Sequence, residues 1–339
     1  MIRSISTMLA IAVALLAQAL APVTYAHHSH SSLDRNNVQM HRGIVTKYSW
    51  RMPHVFIQVK APNKSGELVV WSIELLHPPG MSDRGWSRDT FKPGDAITWE
   101  GPVDKDPDRH YSGLHWAEQS DGSRYLNDTS RAPAITVEPS TDMTGTWTRD
   151  TERVGFTYYP PKGWGYTEKG SELVAGFHES QNPQLDCDDP GPPKSTTLPY
   201  PIIITRPDES TFVFDYDMRN QRRVIKLGQE IVPGGPSKVG QSIGRMEGDV
   251  LMVETMNFSP DRWGSFTGVD SSEQKHLVER YSLIDAGMTL RVQMTLTDPV
   301  FLAKPVEIDW YLKKLTDRKP LPANCTVESA RLYIEAGYQ

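Results

Sequence analysis

Three sets of side chains could do chemistry, and the first is imidazole. His27-His28-Ser29-His30 follows a stretch that reads as a cleavable export signal, so His27 is expected to become the first residue of the mature chain. An N-terminal His binds through its α-amino nitrogen and its ring together, and one further imidazole completes a nitrogen set suited to copper(II). His54, at the start of a strand in Met52-Pro53-His54, is the expected partner, with His28, His77 and His115 as weaker ones. The competing reading is a polar tail that picks up metal adventitiously.

The second set is charged. Glu254 alternates with Val250, Met252 and Met256, so an inward strand face would carry one carboxylate. Asp215, Arg219, Arg245, Glu279 and Arg280 could meet it. A carboxylate beside an Arg and an apolar wall has a perturbed pKa. Glu254 would be a general base and Arg280 or Arg245 the anion stabiliser, as in an isomerase or hydrolase. The competing reading is a salt-bridge set that closes a barrel end. The third set is aromatic: Phe156, Tyr158, Tyr159, Trp164 and Tyr166 crowd a Pro/Gly-rich stretch. Tyr158 and Trp164, with Tyr216 and Arg219, form the candidate ligand-binding set for a small molecule. The alternative is that these rings plug a barrel mouth. His178 and His276 are isolated and read as structural.

Absent motifs narrow the choice. There is no Gly-rich phosphate loop, no Cys-x-x-Cys and no His-Glu-x-x-His. The two cysteines, Cys187 and Cys325, are expected to form one disulfide in an oxidising compartment. Closing so long a loop is worth up to about 4–5 kcal/mol in the chain-entropy model. A Cys nucleophile is therefore not expected.

The elements that must position these residues are mostly strands. Residues 1–26 carry Arg3, an Ala/Leu-rich core from Met8 to Ala21 and Thr24-Tyr25-Ala26, the pattern of a signal peptide. No later segment is apolar and long enough to suggest an integral membrane span. Removing 26 of 339 residues leaves 313, enough for two domains. The chain carries 36 basic and 42 acidic residues, and the signal takes one basic residue with it, which leaves −7. That balance, with no basic block, argues against nucleic acid as a partner. The 26 Pro and 25 Gly suit short strands joined by turns.

Within residues 27–126, strand-like runs occur at Met40–Trp50, His54–Lys60, Glu67–Glu74, Asp95–Glu100 and Tyr111–Glu118, with helix-start signals between Pro78 and Lys92. Three strands, a short helix and two strands is the order of an OB-like barrel. Residues 127–142 read as a linker. From 143 to 339 a second series follows: Pro201–Arg206, Thr211–Asp217, Arg222–Leu227, Val250–Asn257, Gln274–Leu283, Met288–Asp298 and Val306–Leu312. Met288, Leu290, Val292, Met294 and Leu296 form one apolar face, and Val306, Ile308, Trp310 and Leu312 repeat it. The expected fold is all-β, an OB-like small barrel followed by a larger antiparallel, calycin- or lipocalin-like barrel.

Ala26-His27-His28-Ser29, Met52-Pro53-His54, Arg84-Gly85-Trp86 and Lys92-Pro93-Gly94-Asp95, in that order, resemble an uncharacterised family of exported bacterial proteins. The resemblance covers residues 26–126 and departs from the family pattern at Met52 and His77. Arg245-Met246-Glu247-Gly248-Asp249, Val253-Glu254-Thr255 and Glu279-Arg280 resemble a second exported group, with a Gly-Arg-Trp-Glu-Gly-Asp motif. Together these imply a fold and a periplasmic or secreted location, without a reaction. Three functions fit: a periplasmic binding or accessory protein with copper at His27 and His54 and a small apolar molecule in the second barrel, an acid–base enzyme in that barrel, or a cell-envelope module that binds a protein partner.

Overall fold

The computed structural model describes residues 32–127, 137–155, 157, 159–219, 221–230 and 234–336. The expected signal peptide, His27, Phe156, Tyr158 and most of the expected linker lie outside the described residues.

The first barrel forms from β1 (Leu33–Ser49), β2 (Phe56–Pro62), β3 (Leu68–Glu74), β4 (Ala96–Asp104) and β5 (Tyr111–Ser112). The strand order is β1-β2-β3-β5-β4, and β4 pairs back to β1, so the sheet closes. The β3–β5 pair is parallel and the rest are antiparallel. This is the expected OB-like order, with helix α1 (Pro78–Ser82) between the third and fourth strands. Val55, Ile57 and Val59 point inward onto Trp71, Ile73, Ile97 and Trp99, as their alternation requires. Each such buried side chain contributes about 1.5–3 kcal/mol.

The expected run Tyr111–Glu118 is two strands, because β6 (Trp116–Gln119) meets β4 at a different level and continues to β7 (Arg124–Leu126). The chain steps between them at Gly113, whose carbonyl crowds Gly101 of β4. A Cβ at Gly101 would lie 2.1 Å from that oxygen, so only glycine fits there.

The second barrel has nine strands: β8 (Gly145–Arg149), β9 (Ile202–Asp208), β10 (Thr211–Tyr216), β11 (Arg222–Leu227), β12 (Gln241–Glu247), β13 (Val250–Met256), β16 (His276–Ile284), β17 (Thr289–Thr297) and β18 (Val306–Leu315). They close in the ring β10-β11-β12-β13-β16-β17-β18-β8-β9, while β14 (Asp261–Phe266) and β15 (Val269–Ser271) form a separate hairpin. One correction applies to the antiparallel expectation: β11 and β12 pair in parallel. Gly248 at φ 61° lets Glu247-Gly248-Asp249 turn as expected. The β17 and β18 faces also come out as expected, with Leu290, Val292, Met294, Leu296, Val306, Ile308, Trp310 and Leu312 all buried.

The lumen is filled. Trp147, Phe212, Phe214, Tyr216, Phe258, Tyr281 and Trp310 meet inside it with the aliphatic residues of β13, β16 and β17. The long β8–β9 connection carries helices α2 (Thr151–Val154), α3 (Glu168–Ala175) and α4 (Lys194–Thr197), and α4 is wholly buried. Its Lys194 donates to Thr267 Oγ1 at 2.5 Å, and burial, outweighing Glu179, pushes the amine down to about 7. No helix among the described residues is long and apolar enough to cross a membrane.

Helix α5 (Val327–Glu335) ends the described chain and lies between the barrels. Its Tyr333 and Ala336 pack on Leu33, Phe56 and Tyr111 of the first barrel and on Leu185 of the second domain. The Cys187–Cys325 disulfide forms as expected, with Cα atoms 5.8 Å apart.

Candidate functional site

The phase of β13 decides the fate of the charged set. Leu251, Val253 and Thr255 point into the lumen, and Val250, Met252, Glu254 and Met256 point out. Glu254 is therefore a surface carboxylate, contrary to the inward-face expectation. It pairs with His276 Nε2 at 2.9 Å, and about a third of each side chain is exposed. The isolated reading of His276 is corrected accordingly. Arg245 and Arg280 do not converge on Glu254. Arg245 bonds Glu247 at 2.9 Å, and Arg280 approaches Glu247 at 3.8 Å and Met252 Sδ at 3.9 Å.

The inward carboxylate is Glu279, and its partner is Arg223. Both are fully buried and ion-paired through Arg223 Nη2. Arg223 also donates to Ser242 Oγ at 2.8 Å and to Thr255 Oγ1 at 2.5 Å, while the Tyr281 hydroxyl donates to Glu279 at 2.8 Å. Tyr216, expected to touch a ligand, is buried in the same lumen. The signal was readable, since Glu279 alternates with Leu277 and Tyr281, two residues that an inward face must own. Burial raises the Tyr281 phenol well above its ordinary value, with Glu279 beside it adding to the shift. The cluster accounts for most of its own hydrogen bonds, which is the pattern of a lumen-closing ion pair.

The aromatic set splits. Trp164 leans on Phe266 at 5.4 Å and Tyr166 at 6.4 Å, and both Trp164 and Tyr166 pack half-buried against the core of the second barrel. Tyr159 is 53 % exposed. Arg219 lies elsewhere, ion-paired to Asp189 and 4.8 Å over the Tyr200 ring, and burial lowers its pKa to about 9. With Met52, Pro53, Gln184, Met218 and the Cys187–Cys325 bridge it lines a cavity of about 80 Å³.

His54 opens onto the junction between the barrels. Its Nδ1 lies 3.1 Å from both Leu75 O and Glu74 Oε1, and its ring is 5.9 Å from Tyr333. The Tyr111 hydroxyl donates to Glu74 at 2.6 Å. Among the described residues no group of three or more His, Cys, Asp or Glu side chains is arranged to hold a metal. Opposite, the Tyr333 hydroxyl donates to Glu179 at 2.8 Å, and Asn182 donates to the same oxygen at 2.9 Å. Burial pushes Glu179 up to about 6 in spite of these bonds.

That shift has a definite sign. Folding binds the Glu179 proton more tightly than the unfolded chain does, so the stabilisation is complete below the ordinary carboxylate pKa and is lost as pH rises through about 6. Lys194, with its amine near 7, titrates above that window. Thermal unfolding at pH 4.5 and pH 7 is expected to show about 2 kcal/mol more stability from this group at the lower pH. Glu179→Gln should remove that difference, and an unchanged pH profile in the variant would count against the assignment.

Fold and site thus define an all-β, two-barrel protein with a filled second lumen and a polar joint between the barrels. Residues 14–114 match the model of a family of unknown function (DUF6152), a span that includes most of the first barrel. No match was found among curated proteins or among solved structures.

Proposed function

We propose that this chain is an exported cell-envelope interaction protein that holds a protein partner on the outer face of its second barrel. The observation that supports this reading is the contrast between two outward surfaces of that barrel. On β17 and β18 the outward residues are Arg291, Gln293, Thr295, Glu307 and Asp309. On β10 to β16 they include Val213, Val224, Ile243, Met252, Met256 and Val278, with Val224 43 % and Met256 37 % exposed. The registers place them together: Val213 faces Val224, Met256 faces Gln241, and Glu254 lies between Ile243 and Val278. The Glu254–His276 pair and Arg245 and Arg280 give this patch charged contacts for register, as a protein interface requires. A small apolar guest in the lumen would have to displace the side chains that fill it.

The test is a double substitution, Met252→Asp with Met256→Asp, read by the native size of the chain released gently from the envelope. The wild-type chain is expected to migrate in a complex, and the variant as the free chain with an unfolding temperature within about 2 °C of wild type, as surface changes allow. A variant that stays in the complex would contradict the proposal.

A further inference from the structure

Helix α5 is held at its two ends by different chemistry. At its start, Cys325 precedes the N-cap Thr326 and is bridged to Cys187, which closes the turn Pro183–Asp186 in the left-handed conformation at φ 57°. At its end, Arg109 donates to Tyr333 O at 2.7 Å and to Ala336 O at 2.9 Å. Between them, Tyr333 and Ala336 cover Phe56 and Tyr111 on the outer face of the first barrel. OB barrels commonly use the face of their second and third strands for binding, and here the chain's own helix sits on part of it.

The bridge is not sealed in a core. Both half-cystines are half-buried and line the 80 Å³ cavity, together with Arg219. The Arg219–Asp189 ion pair lines the same cavity, so the bridge lies against a polar wall and not in an apolar core.

We propose that Cys187–Cys325 is a latch opened by a dithiol reductant of the thiol–disulfide oxidoreductase class, and that opening frees α5 from Leu33, Phe56 and Tyr111 of the first barrel. A thiolate of the reductant attacks one cystine sulfur and forms a mixed disulfide, and the other cysteine leaves as a thiolate. The reductant's second thiolate then attacks the mixed disulfide and releases the remaining cysteine. Two electrons pass to the cystine, the reductant ends as a disulfide, and its two protons end on Cys187 and Cys325. The helix has nine residues, shorter than the roughly 12–15 that an isolated helix needs, and the segment joining it to β18 is mostly irregular. With the bridge open, α5 keeps only its contacts with the two barrels and the covalent tether through 316–326.

The test is hydrogen exchange on the full folded chain, oxidised and then reduced with dithiothreitol without denaturant, beside the Cys187→Ser/Cys325→Ser variant. The cystine is expected to reduce in the native state. Amides of 327–336 should then exchange at least about tenfold faster while β16 and β17 keep their protection, and the double-serine variant should match the reduced protein. Three results would overturn the latch: a bridge that resists reductant until the barrels unfold, α5 amides equally protected in both states, or loss of protection in both barrels together with α5.

Discussion

Arg223→Met is expected to lower the stability of the second barrel by about 3–5 kcal/mol, because it leaves Glu279 buried without its counter-charge. Ser242 and Thr255 lose their bond to the guanidinium in the same step. For a domain of this size the unfolding temperature should fall on the order of 10 °C. Arg223→Met combined with Glu279→Leu removes both charges and should recover most of the loss, since an apolar pair of similar volume often replaces a buried ion pair without penalty. A single variant within about 1 kcal/mol of wild type by thermal and denaturant unfolding would show that the lumen does not depend on this pair.

Arg109→Ala should be the most damaging change at the joint. The guanidinium bonds Asp104 at 3.0 Å as well as the two α5 carbonyls, and it lies 3.9 Å over the Tyr111 ring. Its removal leaves a buried carboxylate and two helix-end acceptors short of a donor, a loss of about 3–4 kcal/mol. Arg109→Lys should recover only part of it, because one ammonium cannot serve these separate acceptors as the planar fork does. Limited proteolysis reads the effect directly: cleavage near 327–336 should come first in Arg109→Ala. If both barrels are cut before that helix, the joint is not where Arg109 acts.

The strand order of the first barrel was legible because its turns and alternation are local. Gly66, at φ 81° in Lys64-Ser65-Gly66, turns β2 into β3, and Val55, Ile57 and Val59 mark the inner face unaided. The β17 and β18 faces were legible for the same reason. The phase of β13 was not. Val250, Met252, Glu254 and Met256 look as apolar as Leu251, Val253 and Thr255, and only the ring of neighbours decides which set turns inward. Because strand side chains alternate, the wrong phase moved the buried carboxylate from Glu279 to Glu254. The parallel β11–β12 pair and the buried run through α4 were hidden too, since both depend on contacts between distant parts of the chain. Gly191-Pro192-Pro193-Lys194-Ser195-Thr196-Thr197 has no apolar side chain beyond its prolines, yet all seven residues are buried. The cysteine pairing was legible from counting alone, but the cavity that exposes it was not.

The central claim, that recognition takes place on the outer face of β10 to β16, is tested most directly by photocrosslinking inside the envelope. A photoreactive residue is placed at Val224 or Met256 on that face, and at Thr295 on the polar face of the same barrel. The account predicts one discrete protein adduct from the first two positions and none from Thr295. Adducts at Thr295 as strong as those at Val224 and Met256, or no adduct at any of the three, would contradict it.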